Sequence, residues 1–116
     1  MGDLRVRILE LTLDDWVSDY EMLGEFDAGP GRPGTAYSSM VCQAVDWIRR
    51  GVLLPGLMAE HGFARWPGLP PEQAHRFSVL AQQRSLVTQP GQICWFDAGP
   101  DVHAELDRLS LTRHFA

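Results

Sequence analysis

One segment of the chain, Thr35 to Trp66, constrains the fold more than any other. Over residues 35–50 its apolar side chains recur with the spacing of an amphipathic α-helix. The apolar face carries Tyr37, Met40, Val41, Ala44, Val45 and Ile48, and the opposite face carries Ser38, Ser39, Gln43, Asp46 and Arg50. This pattern predicts a helix with one buried face.

The predicted helix is expected to stop abruptly and to lead into a hairpin. Two arginines at its end complement the helix dipole, and Gly51 can adopt the left-handed conformation that caps a helix. A short strand is predicted over 52–54, before the Pro-Gly pair at 55–56, and a returning strand over 62–66. The segment therefore predicts helix, stop and hairpin in that order.

The residues before this segment predict two further helices. From Leu9 the apolar residues at 9, 13, 16, 17 and 20 follow a helical period. However, Ser18 and Glu21 form a capping-box pattern, which favours a second helix that begins after a break near residues 16 and 17. The second helix is expected to end near Gly24, and a connection rich in glycine and proline follows over 27–34.

The residues after it predict a helix, a buried strand and a final helix. The helix begins at Pro71 and is expected to run to about Ser85. The strand covers residues 92–97 and is a candidate partner for the hairpin. The final helix follows residues 99–101 and buries Val102, Leu106 and Leu109. These elements predict one α+β domain over 1–116, mostly helical, with a small antiparallel sheet.

Composition limits the classes of protein that this chain can belong to. With 116 residues, of which 45% are hydrophobic, it can bury a core without a metal or a disulfide. Cys42 and Cys94 lie in apolar sequence, so we expect two buried free thiols. No apolar run is long enough for a membrane helix, and the N-terminus lacks a signal peptide's pattern. We therefore expect a cytoplasmic protein with no membrane partner.

The order of the predicted elements resembles that of the winged-helix superfamily. The resemblance lies in two helices, a glycine-rich connection, a third helix ending in RRGVL, a hairpin, and the closing segment ICWFDAGPDVHAELDRL. The chain also resembles small winged-helix-like proteins of GC-rich bacteria, in which a segment like GFARWPG precedes an added helix and a CWF strand. A GC-rich source agrees with the composition, because the chain contains ten arginines but neither lysine nor asparagine, whose codons are rich in A and T. The helix predicted at 71–85 departs from a minimal winged helix and is an added element. The resemblance implies that the helix at 35–50 is a recognition helix, as in DNA-binding regulators.

Charge favours a protein partner over DNA. Residues 1–27 carry eight acidic side chains against two arginines, and no base occurs from Ile8 to Gly31. A surface of this sign attracts basic proteins and repels polyanions. The predicted partner-binding residues are Asp14, Asp15, Asp19, Glu21, Glu25 and Asp27. Small acidic bacterial proteins of this kind include immunity proteins and antitoxins, and this is the function that we expect.

DNA binding is the alternative hypothesis. Its candidate residues are Arg32, Ser38, Ser39, Gln43, Arg50 and Arg65. Asp46 lies on the same helix face and the net charge is −5, so DNA binding would require a dimer or a partner to add positive charge. No catalytic, metal-binding or cofactor-binding motif is present, so we expect neither an enzyme nor a cofactor. The four tryptophans, Trp16, Trp47, Trp66 and Trp95, are expected to lie in the core or at its edge, with Trp66 the most exposed.

Overall fold

A computed structural model describes residues 3–29, 31–32 and 34–115. In this part of the chain five helices pack with one four-stranded antiparallel sheet. The helices are α1 (Leu4–Asp14), α2 (Asp19–Ala28), α3 (Ala36–Arg49), α4 (Pro70–Gln82) and α5 (Val102–Phe115), and the strands are β1 (Val17–Ser18), β2 (Leu53–Ala59), β3 (Gly62–Arg65) and β4 (Trp95–Ala98). The predicted fold class, α+β and mostly helical with a small antiparallel sheet, is confirmed. Within the described ranges, every helix is too short or too polar to span a membrane.

Helix α3 forms with one buried face, as its regular period predicted. It packs against α2, α4 and β2, and its buried residues include Met40, Ala44 and Ile48. Gly51 ends the helix with a φ of 74°, a conformation that costs glycine little. The N–H of Val52 then donates to the carbonyl of Trp47 at 2.9 Å, which closes the last turn before β2. The predicted helix and its stop are both confirmed.

The first two helices are separate, as the capping box predicted. The backbone N–H of Glu21 donates to the Ser18 hydroxyl at 3.1 Å, and the Glu21 carboxylate accepts from the Ser18 N–H at 3.4 Å. The predicted end at Gly24 is wrong, because α2 continues to Ala28 and brings Phe26 against the core. Residues 30 and 33 of the predicted connection at 27–34 lie outside the described residues.

The break also excludes the alternative of one apolar stripe along a single helix over residues 9–20. Helix α1 ends at Asp14, so the stripe does not continue along one helix, and Leu13, Trp16 and Tyr20 are exposed. The core face of α1 is instead made by its buried residues Val6, Ile8, Leu9 and Thr12. Trp16 and Tyr20 are therefore surface aromatic residues.

The sheet has the strand order β1-β4-β2-β3, with every neighbouring pair antiparallel. Strand β2 runs through the Pro-Gly pair at 55–56, where the sequence predicted a turn. The Pro55 carbonyl accepts from the Trp66 N–H at 2.9 Å, so the pairing continues although proline lacks a donor. A Cβ at Gly56 would overlap the Ala64 carbonyl, so the two strands of the hairpin need glycine there. The prediction that the C-terminal strand pairs with the hairpin is confirmed, since β4 pairs with β2.

Two predictions about single side chains are wrong. Trp66 is only 3% exposed, because the Arg76 guanidinium lies 4.3 Å above its ring and covers it. Cys42 is exposed on α3, since it lies beside the buried face and not on it. Cys94 is a buried free thiol, as predicted, and burial raises its pKa well above the ordinary value.

Candidate partner-binding site

One of the six carboxylates predicted to form a binding surface is not on the surface. Asp19 has no solvent exposure, and it begins α2. Its Oδ1 accepts from the Gly91 N–H at 2.7 Å and the Tyr20 N–H at 2.8 Å, and its Oδ2 accepts from the Ile93 N–H at 2.6 Å. Burial raises the pKa of Asp19, an effect that these donors oppose. Asp19 therefore tethers residues 91–93 to α2 and is removed from the predicted surface.

The other five carboxylates differ in how available they are to a ligand. Glu25 is partly buried and accepts from the Arg7 guanidinium at 2.9 Å, so its charge is already paired. Asp14, Asp15, Glu21 and Asp27 are exposed, and each of them lines one or both of two neighbouring grooves. Four of the six predicted residues thus border cavities.

The first cavity, which we call the tryptophan groove, has a volume of about 500 Å³. It lies where α1, β1, α2 and the β2–β3 hairpin meet. Its lining residues are Leu11, Asp14, Asp15, Trp16, Val17, Glu21, Met58 and Trp95. Three carboxylates therefore surround a groove whose walls are otherwise apolar or aromatic.

Local structure explains how Trp16 reaches this groove. The chain leaves α1 in an extended conformation at Asp15, and the Asp15 Oδ1 accepts from the Trp16 N–H at 2.7 Å. The Trp16 ring stacks on Phe63 of β3, with centroids 6.1 Å apart and planes inclined by 19°. The indole is nevertheless 38% exposed. An exposed indole beside carboxylates is suited to binding a cation.

The second cavity, which we call the tyrosine groove, has a volume of about 630 Å³. It lies between α2, the start of α3 and the segment after α4. Its lining residues are Tyr20, Glu21, Leu23, Gly24, Asp27, Gly34, Ala36, Tyr37, Ser85, Leu86 and Val87. The Tyr37 hydroxyl donates to the Ala81 carbonyl at 2.6 Å, which fixes that ring, and burial raises the Tyr37 pKa. This groove is mainly apolar, with carboxylates from Glu21 and Asp27.

The residues predicted for DNA binding line neither groove. Ser38 and Ser39 are exposed on α3, Gln43 is half-buried, and Arg32 and Arg65 are exposed on separate loops or strands. These side chains lie on different elements, and the structure does not bring them together into one cavity.

Arg50, the remaining member of that set, is engaged within the fold. Its guanidinium donates to Asp46 at 2.6 Å and to Glu105 at 2.7 Å. Glu105 also accepts from Arg108 and from the Trp47 indole N–H. Contacts with Arg50 and Arg108 hold the pKa of Glu105 well below its usual range. Arg50 thus fastens α5 to α3, and its charge is already neutralised.

Sequence reasoning missed the apolar half of both grooves. Trp16 and Trp95 were assigned to the core or its edge, and Met58 and Leu86 were not singled out. The one available signal was the Ser18–Glu21 capping box, because a helix that begins there leaves Trp16 in the break between two helices. Nothing in the local sequence marks Leu86.

Residues described by the structure include no cluster of three or more His, Cys, Asp or Glu side chains that could hold a metal ion. In comparisons with protein-family models, curated proteins and solved structures, nothing matches this chain. A functional assignment therefore depends on the chemistry of the two grooves.

Proposed function

We propose that this protein is a non-enzymatic, cytoplasmic protein-binding module of the immunity or antitoxin type, which captures a basic segment of a partner protein. The observation that carries the proposal is the tryptophan groove. There Asp14, Asp15 and Glu21 surround the exposed indole of Trp16 in a cavity of about 500 Å³. The proposed ligand is an arginine or lysine side chain of the partner.

The two kinds of groove residue match the two parts of such a side chain. The aliphatic stem of arginine or lysine can pack against Trp16 and Met58, while its cation faces the carboxylates. An exposed ion pair alone contributes about 0 to 1 kcal/mol, so carboxylates without an apolar wall would bind weakly. A cation beside an indole adds about 0.5 to 1 kcal/mol. The combination makes the groove a better binding site than the acidic patch alone.

The charge of the whole chain supports the same class of partner. The net charge is −5, and the long stretch without a base, residues 8–31, includes all three carboxylates that line the tryptophan groove. A negative field accelerates association with a basic surface and opposes association with DNA. DNA binding has less support, because Arg50 is held by Glu105 and Asp46. The winged-helix relationship stays a prediction and is not needed for this proposal.

Binding of a labelled oligoarginine peptide tests the proposal, with oligocitrulline as the neutral control. The variant D14N/D15N/E21Q removes three groove charges. It keeps a side-chain oxygen at position 15 that can accept from the Trp16 N–H and one at position 21 that can accept from the Ser18 N–H. We expect about tenfold weaker binding of oligoarginine, measured by fluorescence anisotropy at low salt, since three exposed contacts together contribute about 1.4 kcal/mol.

A matched variant separates the groove from net charge. E72Q/D101N/D107N changes the total charge equally, and these three exposed residues line neither groove. Its affinity for oligoarginine should stay within about threefold of the wild type, because only long-range attraction is reduced. Equal weakening by the two triple variants would refute the groove as the binding site.

A further inference from the structure

The tyrosine groove exposes large apolar side chains beside the proposed cation site. Tyr20 is 47% exposed and Leu86 is 53% exposed, and both line this groove. Its volume of about 630 Å³ is within the range of sites that bind ligands or anchoring side chains. Exposed apolar surface of this kind marks an interaction site when polar groups rim it, as Glu21 and Asp27 do here.

Gly24 leaves the side of this groove open. It lies within α2, where glycine costs about 0.5 to 1 kcal/mol relative to alanine. Its φ is not positive, and a Cβ built there would meet nothing within 4 Å. Neither backbone conformation nor packing therefore requires glycine. Because Gly24 has no side chain, the tyrosine groove is more open at this position.

The two grooves share one lining residue. Glu21 lines both the tryptophan groove and the tyrosine groove, and its neighbour Tyr20 lines the second. Asp27 adds a carboxylate further along α2. A chain that follows this surface therefore meets carboxylates in both grooves and an apolar wall in the second. Those contacts are complementary to a segment that carries apolar residues beside basic ones.

We propose that the tyrosine groove holds the apolar anchor side chains of the same basic segment, so that the partner's segment is amphipathic. This inference rests on the proposed function, which supplies the cationic contacts. It adds that leucine-like side chains of the partner enter between Tyr20, Tyr37 and Leu86. Charge then directs the segment to the surface, and the apolar anchors determine which basic segments remain bound.

Two labelled peptides test this inference on the intact protein. One has four arginines, a glycine, two leucines, a glycine and four arginines, and the other has serines in place of the leucines. We expect wild-type protein to bind the leucine peptide about tenfold more tightly, because leucine burial adds to the cationic contacts. Glycine-to-methionine substitution, G24M, fills the groove and should abolish this preference without changing the affinity for the serine peptide. The control G24A should retain the preference.

Each outcome separates this inference from the proposed function. If wild-type protein binds both peptides equally, or G24M keeps the preference for leucine, the tyrosine groove does not hold the anchor, and the proposed function stands. If neither peptide binds, the proposed function fails and the inference fails with it. Because Gly24 has open space around it, G24M should fold normally. A second variant, Leu86→Ser, changes an exposed position and should weaken binding of the leucine peptide without weakening binding of the serine peptide.

Discussion

Two groups of carboxylates in this protein have opposite roles. Asp19 and Glu105 are buried, and each accepts at least three hydrogen bonds from other groups of the fold. Asp14, Asp15 and Glu21 are exposed at the edge of the tryptophan groove. The first pair holds distant parts of the chain together, whereas the second group leaves negative charge available to a ligand. Charge density along the sequence does not distinguish Asp19 from the groove carboxylates, which lie in the same stretch without a base, because the difference lies in their hydrogen-bond partners.

The largest effect on stability is expected at Asp19. D19A removes the acceptor for the Gly91 and Ile93 N–H groups, which lie in a part of the chain that the carboxylate tethers to α2. Leaving buried donors without an acceptor should lower the free energy of unfolding by about 3 kcal/mol, measured by urea denaturation. D14A, at an exposed site, should change it by less than about 0.5 kcal/mol. Similar losses for D19A and D14A would remove the distinction between the two groups.

A smaller effect, which depends on pH, is expected at Glu105. Because Arg50 and Arg108 lower the pKa of Glu105 in the folded state, its stabilising contribution is present above the ordinary pKa of 4.5 and is lost as the pH falls. E105Q should be destabilised by about 2 kcal/mol at neutral pH. Its free energy of unfolding should then fall less than that of the wild type between about pH 5 and pH 3. Parallel pH profiles would show that the network around Glu105 does not stabilise the fold.

For Asp19, the expected pH dependence of the free energy of unfolding has the opposite sign to that for Glu105. Burial raises the pKa of Asp19 in the folded state, so protonation of this side chain stabilises the fold. That stabilisation is present below the ordinary pKa of 3.8 and is lost as the pH rises. The stability difference between wild type and D19N should therefore grow as the pH falls, whereas the difference between wild type and E105Q should shrink. Urea denaturation at a series of pH values measures both. If the stability difference between wild type and D19N also shrank as the pH fell, burial would not raise the pKa of Asp19.

Much of the fold could be predicted because the signals are local. The period of α3, its stop at Gly51 and the Ser18–Glu21 capping box each depend on neighbouring residues. The limits of β2 were missed because its pairing through Pro55 depends on Trp66 and on β4. A dipeptide typical of a turn was incorporated into a strand by contacts that short-range patterns do not contain.

The candidate site was less predictable for the same reason. Whether Asp19 is a surface charge or an anchor depends on residues 91–93, which are more than seventy positions away. Trp16 is exposed because α1 ends at Asp14, and the extended residue that follows turns the indole toward Phe63. Acidic residues were thus identified as a group, but their division into buried and exposed members required the tertiary structure.

The smallest expected change in the free energy of unfolding concerns two glycines of the tyrosine groove. These glycines test whether the residues that shape this groove are also needed to stabilise the fold. Gly24 and Gly34 both line the groove, and a Cβ at either position meets nothing within 4 Å, but only Gly34 has a positive φ, of 84°. G24A should raise the free energy of unfolding by about 0.5 to 1 kcal/mol, because alanine favours a helix. G34A should lower it by about 1 kcal/mol, because a left-handed backbone disfavours alanine. Thermal and urea denaturation of the two variants measure this contrast. If G24A also lost stability, Gly24 would be needed by the fold, and the openness of the groove would no longer explain it.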